Sequence, residues 1–417
     1  MRVPVPEQQK APDHAGAPCR WEPARLRKEQ LETPRHVVSV ADPAPGRAAR
    51  RAPRPLRVAR VRLPGAICNG AAIPTSLYFS PGGPLTFESS PPQQVPAPPL
   101  SSQEFKATAE AILTNVEWVI EGKSPTIRLA LAVMIAEGHL LLEDVPGVGK
   151  TQLAKALARS VDCSVRRIQF TPDLLPSDVT GVSIFDPEKR DFVFKPGAIF
   201  GNLILGDEIN RASPKTQAAL LECMEERQVT VDGNTYRLRS PFMVIATQNP
   251  VEMEGTYPLP EAQRDRFTAR LAIGYPDLNA ELAMLDHRGE FNPLEALKPV
   301  CDGEMIVRMI ATARAVHLAP ELKRYAVELI GATRTNAQVR LGASPRATLQ
   351  LLRCAKVLAA MDGRDFALPD DVQQLAVPVL AHRIIPTTET TMGGNDSASI
   401  VADILRHVPV VSQPGRY

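Results

Sequence analysis

The chain has 417 residues, which is enough for two or three domains with a sizeable core. Hydrophobic residues make up 44% and charged residues 23%, as in ordinary globular proteins. The longest apolar run, around Leu129–Ala136, is too short to cross a bilayer, so the sequence predicts no transmembrane span. The six cysteines are too far apart for a CxxC pair, which argues against a disulfide framework or a structural metal site. They favour a reducing compartment, and we expect a cytoplasmic location.

The net charge of +2 conceals an asymmetry along the chain. Residues 1–100 have a net charge of +7 and 19 of the 40 prolines, whereas residues 101–417 have a net charge of −5. The first segment shows no helical or strand period, and we expect it to be a disordered extension. Three interpretations stay open: a basic tail that binds nucleic acid or an acidic surface, an inert tail, and upstream DNA translated from a wrongly chosen start codon. We assign the segment no function.

The folded part begins with two helical patterns and a buried strand. The first helix is predicted over residues 103–120, and the second begins with Ser124 as N-cap and Pro125 at the first helical position. The apolar run after His139 predicts a parallel strand that ends at Glu143. A glycine-rich loop follows, and a new helical pattern begins directly after it.

Strand, glycine loop, Lys-Thr and helix is the order of a phosphate-binding loop. Glycine lets backbone N–H groups curl around phosphate oxygens, Lys150 reaches the β- and γ-phosphates, and Thr151 ligates Mg²⁺. The residues that we expect at the nucleotide are Pro146, Gly147, Val148, Gly149, Lys150, Thr151 and Gln152. Asp144 stands where the strict pattern has glycine, and a dinucleotide-binding loop is excluded because its third glycine is missing.

Two further buried strands end in polar residues. The run that begins at Asn202 ends in Asp207 and Glu208, which predicts a carboxylate for the Mg²⁺ shell and a second one that activates water. The run from Phe242 to Thr247 is followed by Asn249, whose amide is a candidate for holding the attacking water. An ordinary Asn-Pro turn is the alternative at that position.

Two hairpins and a helix lie around these strands. Residues 182–195 and 228–239 each read as strand, turn, strand, the second with an Asp232-Gly233 turn. The helix between them begins at Ser213, and its acidic positions are expected to form a solvated face. Those positions are Glu222, Glu225 and Glu226.

The last third has helical periodicity without a notable strand. The predicted helices cover residues 304–316, 321–336, 347–361 and 370–382. We therefore expect an α/β core with a parallel sheet over residues 101–275, followed by an all-helical lid over residues 276–417 that packs over the nucleotide.

Four segments resemble the MoxR branch of the AAA+ ATPases. They are LLLEDVPGVGKT at 140–151, GDEINRASPKTQAALLECMEERQVTVDG at 206–233, ATQNPVEMEGTYPLPEAQRDRF at 246–267 and LGASPRA at 341–347. The resemblance spans about residues 105–410. It implies that Lys150 and Thr151 belong to Walker A and that Asp207 and Glu208 belong to Walker B.

The resemblance also implies three residues that sense or complete the site. Asn249 is similar to sensor 1, Arg266 to the arginine finger that reaches a neighbour's γ-phosphate, and Arg346 to sensor 2. Arg264 departs from the family, which usually has an apolar residue there. A surface salt bridge at Arg266 and a plain helix-start residue at Arg346 are the alternatives.

A finger acting between subunits implies a ring, expected to be a hexamer, with ATP and Mg²⁺ as substrate and cofactor. The family resemblance further implies a chaperone or assembly factor that matures other complexes or inserts their cofactors, and a partner with a von Willebrand factor A domain. One alternative is a nucleic-acid motor or transcription regulator, against which the net charge of −5 and the absence of a GAFTGA loop argue. The other is a nucleotide-switched scaffold that does not hydrolyse ATP.

Overall fold

The computed structural model describes residues 98–145, 147–248, 256–276, 278, 281–282 and 293–410. All of these residues belong to the compact unit Glu88–Tyr417. The expected extension over residues 1–100 lies almost entirely outside the described residues, as do Pro146 and Asn249.

Helices and strands alternate in the first half, and helices dominate the second. The helices are α1 Ser102–Glu117, α2 Ser124–Ile135, α3 Lys150–Ser160, α4 Pro176–Thr180, α5 Pro214–Glu226, α6 Glu261–Arg264, α7 Pro293–Ala296, α8 Gly303–Ala315, α9 Pro320–Thr335, α10 Pro345–Met361, α11 Pro369–Leu380, α12 Thr388–Met392 and α13 Ser397–His407. The strands are β1 Leu140–Glu143, β2 Val165–Gln169, β3 Gly181–Asp186, β4 Asp191–Pro196, β5 Leu203–Asp207, β6 Gln228–Val231, β7 Asn234–Arg237, β8 Met243–Gln248, β9 Ala269–Leu271, β10 Val339–Leu341 and β11 Ile385–Pro386.

Five parallel strands form the central sheet in the order β2-β5-β8-β1-β9. The three middle strands are the three apolar runs of the sequence, and they are buried because helices cover both faces of the sheet. The edge strands β2 and β9 are new, since VRRIQ and ARL contain no such apolar run. The parallel α/β core predicted from the sequence is confirmed.

Side chains alternate between the two faces of this sheet and enter two separate hydrophobic clusters. Leu140 and Leu142 point into the larger cluster, which also contains residues of α1, α2, α3 and the C-terminal helices. Leu141 points into the smaller cluster together with the apolar stripe of α5. The C-terminal helices therefore share their core with α1 and α2.

Helix starts agree with the predicted caps in some places and not in others. The Ser213 hydroxyl accepts the backbone N–H of Thr216 (3.3 Å), as expected of an N-cap. Ser124 is already helical, so its prediction as N-cap is wrong by one residue, and Lys123 occupies the cap position without a side-chain bond. Ser344 is the N-cap residue of α10, but its hydroxyl donates to Asp265 instead of capping the helix.

Both predicted hairpins are confirmed. β3 pairs with β4 and β6 with β7, each antiparallel, and the second turn has positive φ angles at Asp232 (50°) and Gly233 (79°). The C-terminal part is helical as predicted, apart from the short antiparallel pair β10–β11 that hydrophobic periodicity did not reveal.

Because the strands are parallel, all their carboxyl ends lie on one side of the sheet and all their amino ends on the other. We call these two sides the carboxyl edge and the amino edge. The carboxyl ends of β1, β5 and β8 lead into Asp144, Glu208 and the segment after Gln248. At the amino ends, His139 and Thr268 directly precede β1 and β9, and they are joined by a backbone hydrogen bond of 2.8 Å. A five-residue path along β1 separates these edges by roughly 17 Å.

Candidate active site

The loop after β1 has the backbone that a phosphate-binding loop requires. Gly147 and Gly149 have φ angles of +87° and +91°, and a Cβ at either would meet no atom within 4 Å. Gly149 is the N-cap of α3, and no side chain among the described residues caps that helix end. The first N–H groups of α3 can therefore bind a ligand, and the helix dipole favours an anion there.

Lys150 begins α3, and its ammonium donates to the carbonyl oxygen of Asp144 (2.7 Å). Partial burial lowers the pKa of Lys150, and the nearby charges of Asp144, Asp207 and Glu208 act in the opposite direction. Lys150 thus lies near acidic groups at the carboxyl ends of β1 and β5, the two strands on either side of β8. A triphosphate would bind the same ammonium, since it supplies stronger anionic acceptors than a carbonyl oxygen.

Asp144 has a role that the motif did not indicate. Its carboxylate accepts the backbone N–H groups of Ile273 (2.8 Å) and Gly274 (2.6 Å), and it also accepts the N–H of Val145 (2.9 Å). The residue is buried, and Gly274 has a φ angle of +69°. Asp144 therefore joins the start of the phosphate loop to the segment that leaves the core after β9.

The two acidic residues at the end of β5 lie next to this loop. Asp207 is buried, and it accepts Nε of Arg167 (2.6 Å) and the Thr247 hydroxyl (3.4 Å). Glu208 has a φ angle of +58°, and its carboxylate is half-exposed between the Gln169 amide (3.1 Å) and Nε of Arg211 (3.2 Å). A buried carboxylate and a more exposed one are thus held side by side.

Thr247 links the two carboxylate-bearing residues. Its hydroxyl donates to Asp207 and accepts the backbone N–H of Glu208 (3.0 Å). The left-handed backbone of Glu208 is held by this bond from the neighbouring strand. Sequence reasoning missed Thr247, because the partners come from two different strands.

These residues fit Mg²⁺ and ATP by their chemistry. The uncapped end of α3 and the Lys150 ammonium suit phosphate oxygens, and Thr151, in the first turn of α3, and Asp207 supply the oxygen ligands that Mg²⁺ prefers. Glu208 remains available for a water molecule. Gly147, Val148 and Gln152 lie in or next to the loop, whereas the predicted roles of Pro146 and Asn249 fall outside the described residues.

Arg266 and Arg346 lie together, at the other edge of the sheet. Glu225 of α5 binds Nε of Arg266 (3.0 Å) through one oxygen and Arg346 through the other. All three line a cavity with Gly138 and His139, which precede β1. The structure therefore brings the predicted finger and the predicted sensor 2 to each other and does not bring Arg346 to Lys150. The role of Arg346 as sensor 2 stays a prediction.

The cavity is rich in positive charge. Its arginines are Arg227, Arg266, Arg314, Arg346 and Arg353, and its acidic residues are Glu137 and Glu225. The Glu137 carboxylate binds both Arg227 and Arg314, as Glu225 binds the other pair. Burial lowers the pKa of His139 to about 4, so this residue is neutral. Among the residues that the structure describes, five cations and two anions line this cavity, and the positive surplus suits an anionic ligand.

A second set of polar contacts fixes the segment that contains Asp265 and Arg266 to the C-terminal helices. Both carboxylate oxygens of Asp265 accept the Ser344 hydroxyl at 2.9 Å, and Asp265 also pairs with Arg383 (3.3 Å). The Arg383 side chain is only 1% exposed, and it donates to the carbonyl oxygen of Phe267 and to Gln350. Asp265, the residue before Arg266, therefore connects the Arg266 segment to the start of α10 through Ser344 and to Arg383.

Comparisons with known proteins agree with this geometry. Residues 139–269 match the model of the ATPase family associated with various cellular activities, and residues 331–404 match an AAA lid domain. The boundary proposed at residue 275 lies between these matches and stays a prediction. Among the helices that the structure describes, none is long and apolar enough to span a membrane.

Three similar proteins cover most of the folded chain. YeaC of Bacillus subtilis is 48% identical over 72% of this chain and 93% of its own length. Chaperone MoxR1 of Mycobacterium tuberculosis is 40% identical over 74% of this chain and 84% of its own length. The crystal structure of a putative ATPase from Cytophaga hutchinsonii is 39% identical, with a TM-score of 0.70 over 75% of this chain and 97% of that one.

The matched domains, the relatives and the phosphate loop agree on one assignment. Proteins named MoxR from Paracoccus denitrificans and Methylorubrum extorquens are also similar, at 33% and 31% identity. The chain belongs to the MoxR family of AAA+ ATPases.

Proposed function

We propose that this protein is a Mg²⁺-dependent ATPase that hydrolyses ATP to ADP and phosphate at sites shared between the subunits of a hexameric ring. The proposal rests on one observation: the residues proposed to act on ATP lie in two separate places on a single subunit. Lys150, Asp207 and Glu208 lie at the carboxyl edge of the sheet, whereas Arg266 and Arg346 lie at the amino edge. A single subunit thus offers half a site on each of two faces.

At the carboxyl edge, each residue has a defined task. Lys150 and the N–H groups of α3 bind and orient the phosphates, and Thr151 and Asp207 hold Mg²⁺. When bound there, Mg²⁺ would supply positive charge that offsets the negative charge on the phosphates. Glu208 accepts the proton of the attacking water, for which its half-exposed carboxylate is suitably placed. Asn249 is proposed to position that water.

At the amino edge, Arg266 and Arg346 are proposed to bind the γ-phosphate of the next subunit's ATP. Arginine suits this task because its planar group donates several N–H bonds to phosphate oxygens. Both arginines belong to an arginine-rich cavity, which supports an anionic partner. The role proposed for Arg346 is thus in the neighbouring site rather than its own.

We further propose that the ring acts in the cytoplasm as a chaperone or assembly factor. The relative named Chaperone MoxR1 supports this role, and the free Cys163, Cys223, Cys301 and Cys354 are compatible with a reducing compartment. A protein with a von Willebrand factor A domain is the proposed partner, and maturation or cofactor insertion in a larger complex is the proposed outcome.

The ATPase proposal is tested with Glu208→Gln, and Glu226→Gln serves as a matched control on an exposed position of α5. Glu208→Gln keeps Lys150 and Asp207, so ATP affinity should stay within about threefold while turnover falls at least about 100-fold. The control should hydrolyse ATP like the unchanged protein. Turnover retained in Glu208→Gln would contradict the assignment of Glu208 as the base.

A further inference from the structure

Glu225 joins the two proposed phosphate-binding arginines. It lies near the end of α5, which is a helix of the α/β core domain. Its carboxylate binds Arg266, in the segment after α6, and Arg346 of α10. The side chains of all three are about one third exposed. Glu225, on the outward face of α5, thus connects the α/β core with helix α10 of the lid.

The electrostatic reason for this contact follows from the arginines. Two guanidinium groups that converge on one ligand repel each other, and an intervening carboxylate offsets that repulsion. The closest contact of the carboxylate with Arg266 is to Nε, at 3.0 Å. An arginine held by its Nε edge presents its other edge in a defined direction.

We propose that Glu225 is a positioning residue, which orients Arg266 and Arg346 toward the γ-phosphate of the ATP bound by the neighbouring subunit. The proposal rests on the proposed function, since it requires a site shared between subunits. Through Glu225, the direction of the finger is tied to α10, so movement of the lid changes how the finger meets its phosphate.

The fold does not depend on this contact alone. Asp265 binds Ser344 at the start of α10 and pairs with Arg383, so the finger segment and the lid stay joined when Glu225 is changed. Glu225→Gln keeps the size of the side chain and removes only its charge. We therefore expect a folded protein with weakened orientation of the two arginines.

The experiment mixes full-length variants, so that each change acts on a chosen side of the shared site. Arg266→Ala subunits keep Glu208 and lack the finger, whereas Glu208→Gln subunits donate the finger and cannot hydrolyse ATP. Each variant alone should be inactive, and mixing them with Mg²⁺-ATP should restore turnover. This first mixture tests the shared site itself, without any change at Glu225.

Glu225→Gln is then added to one partner at a time. In the finger donor, it should lower the restored kcat about tenfold with KM for ATP within about twofold, since a weakened charge-assisted hydrogen bond costs about that factor. In the Arg266→Ala partner, the same change should leave the restored rate unaltered. Glu222→Gln in the donor is the matched control, because Glu222 is exposed on the same helix.

The outcomes separate the two proposals. If the first mixture stays inactive, the shared site fails and the role of Glu225 fails with it. If the first mixture is active but Glu225→Gln in the donor changes nothing, the positioning role is refuted while the shared site stands. Equal losses from Glu225→Gln in either partner would indicate a general structural role and would also refute the proposal.

Discussion

Removing the negative charge of Asp265 should destabilise the protein more than removing the positive charge with which it pairs. The Arg383 side chain is 1% exposed and that of Asp265 is 20% exposed, and their closest charged atoms lie 3.3 Å apart. Burial lowers the pKa of Arg383 to about 10, which still leaves it charged at neutral pH. Asp265→Asn therefore leaves a buried cation without its counter-charge.

The magnitude follows from which partner is left behind. An uncompensated buried charge costs about 3–5 kcal/mol, and we expect Asp265→Asn to lower the free energy of unfolding by that amount. Arg383→Met leaves Asp265, which keeps the Ser344 hydroxyl and some access to water, so its cost should be about 1–3 kcal/mol. The double variant removes both charges, and it should be more stable than Asp265→Asn alone.

Urea unfolding followed by circular dichroism measures all four proteins under one condition. The predicted order of stability is unchanged protein, then Arg383→Met, then Asp265→Asn, with the double variant above Asp265→Asn. A larger loss of stability in Arg383→Met than in Asp265→Asn, or a double variant that is the least stable of the four, would refute this explanation of the ion pair.

Two further predictions concern Asp144 and His139. Asp144→Gly, which restores the strict loop pattern, removes the acceptor of the Ile273 and Gly274 N–H groups, so their hydrogen exchange should accelerate about tenfold while ATP affinity stays within about threefold. Unchanged exchange at both amides would contradict the link between the phosphate loop and the segment after β9. His139 has its pKa lowered to about 4 by burial, so the unfolded chain takes up a proton below about pH 6.5 that the folded chain does not. Stability should fall by about 1.4 kcal/mol per pH unit between about 6.5 and about 4 on account of this group, and His139→Asn should lack that component. Parallel pH profiles for the two proteins would show that His139 titrates normally.

The nucleotide half of the site was predictable because its signals are local. A buried strand, a glycine loop and a helix follow one another within about twenty residues, and each demands particular residue types. The same holds for the Asp232-Gly233 hairpin, where two adjacent residues need positive φ angles. Local chemistry of this kind appears directly in the amino-acid sequence.

The arginine half was only partly predictable, because its contacts join distant residues. Arg346 was predicted as sensor 2, and its contact with Glu225, 121 positions away in the sequence, could not be read from either segment. The acidic face of α5 was expected to be solvated, and its period does not distinguish Glu225 from Glu222. Asp144 likewise meets Gly274 across 130 positions, and no pattern in either segment indicates the other.

The central claim is that one subunit alone lacks a complete ATPase site. The most direct test is the rate of ATP hydrolysis per subunit of the full-length chain, measured with Mg²⁺ over a wide range of protein concentration. The account predicts a rate that rises steeply with concentration and then reaches a plateau, because Arg266 and Arg346 act on the neighbour's nucleotide. A measurable rate that does not change with concentration, from subunits shown to be monomeric at the lowest concentrations, would contradict it.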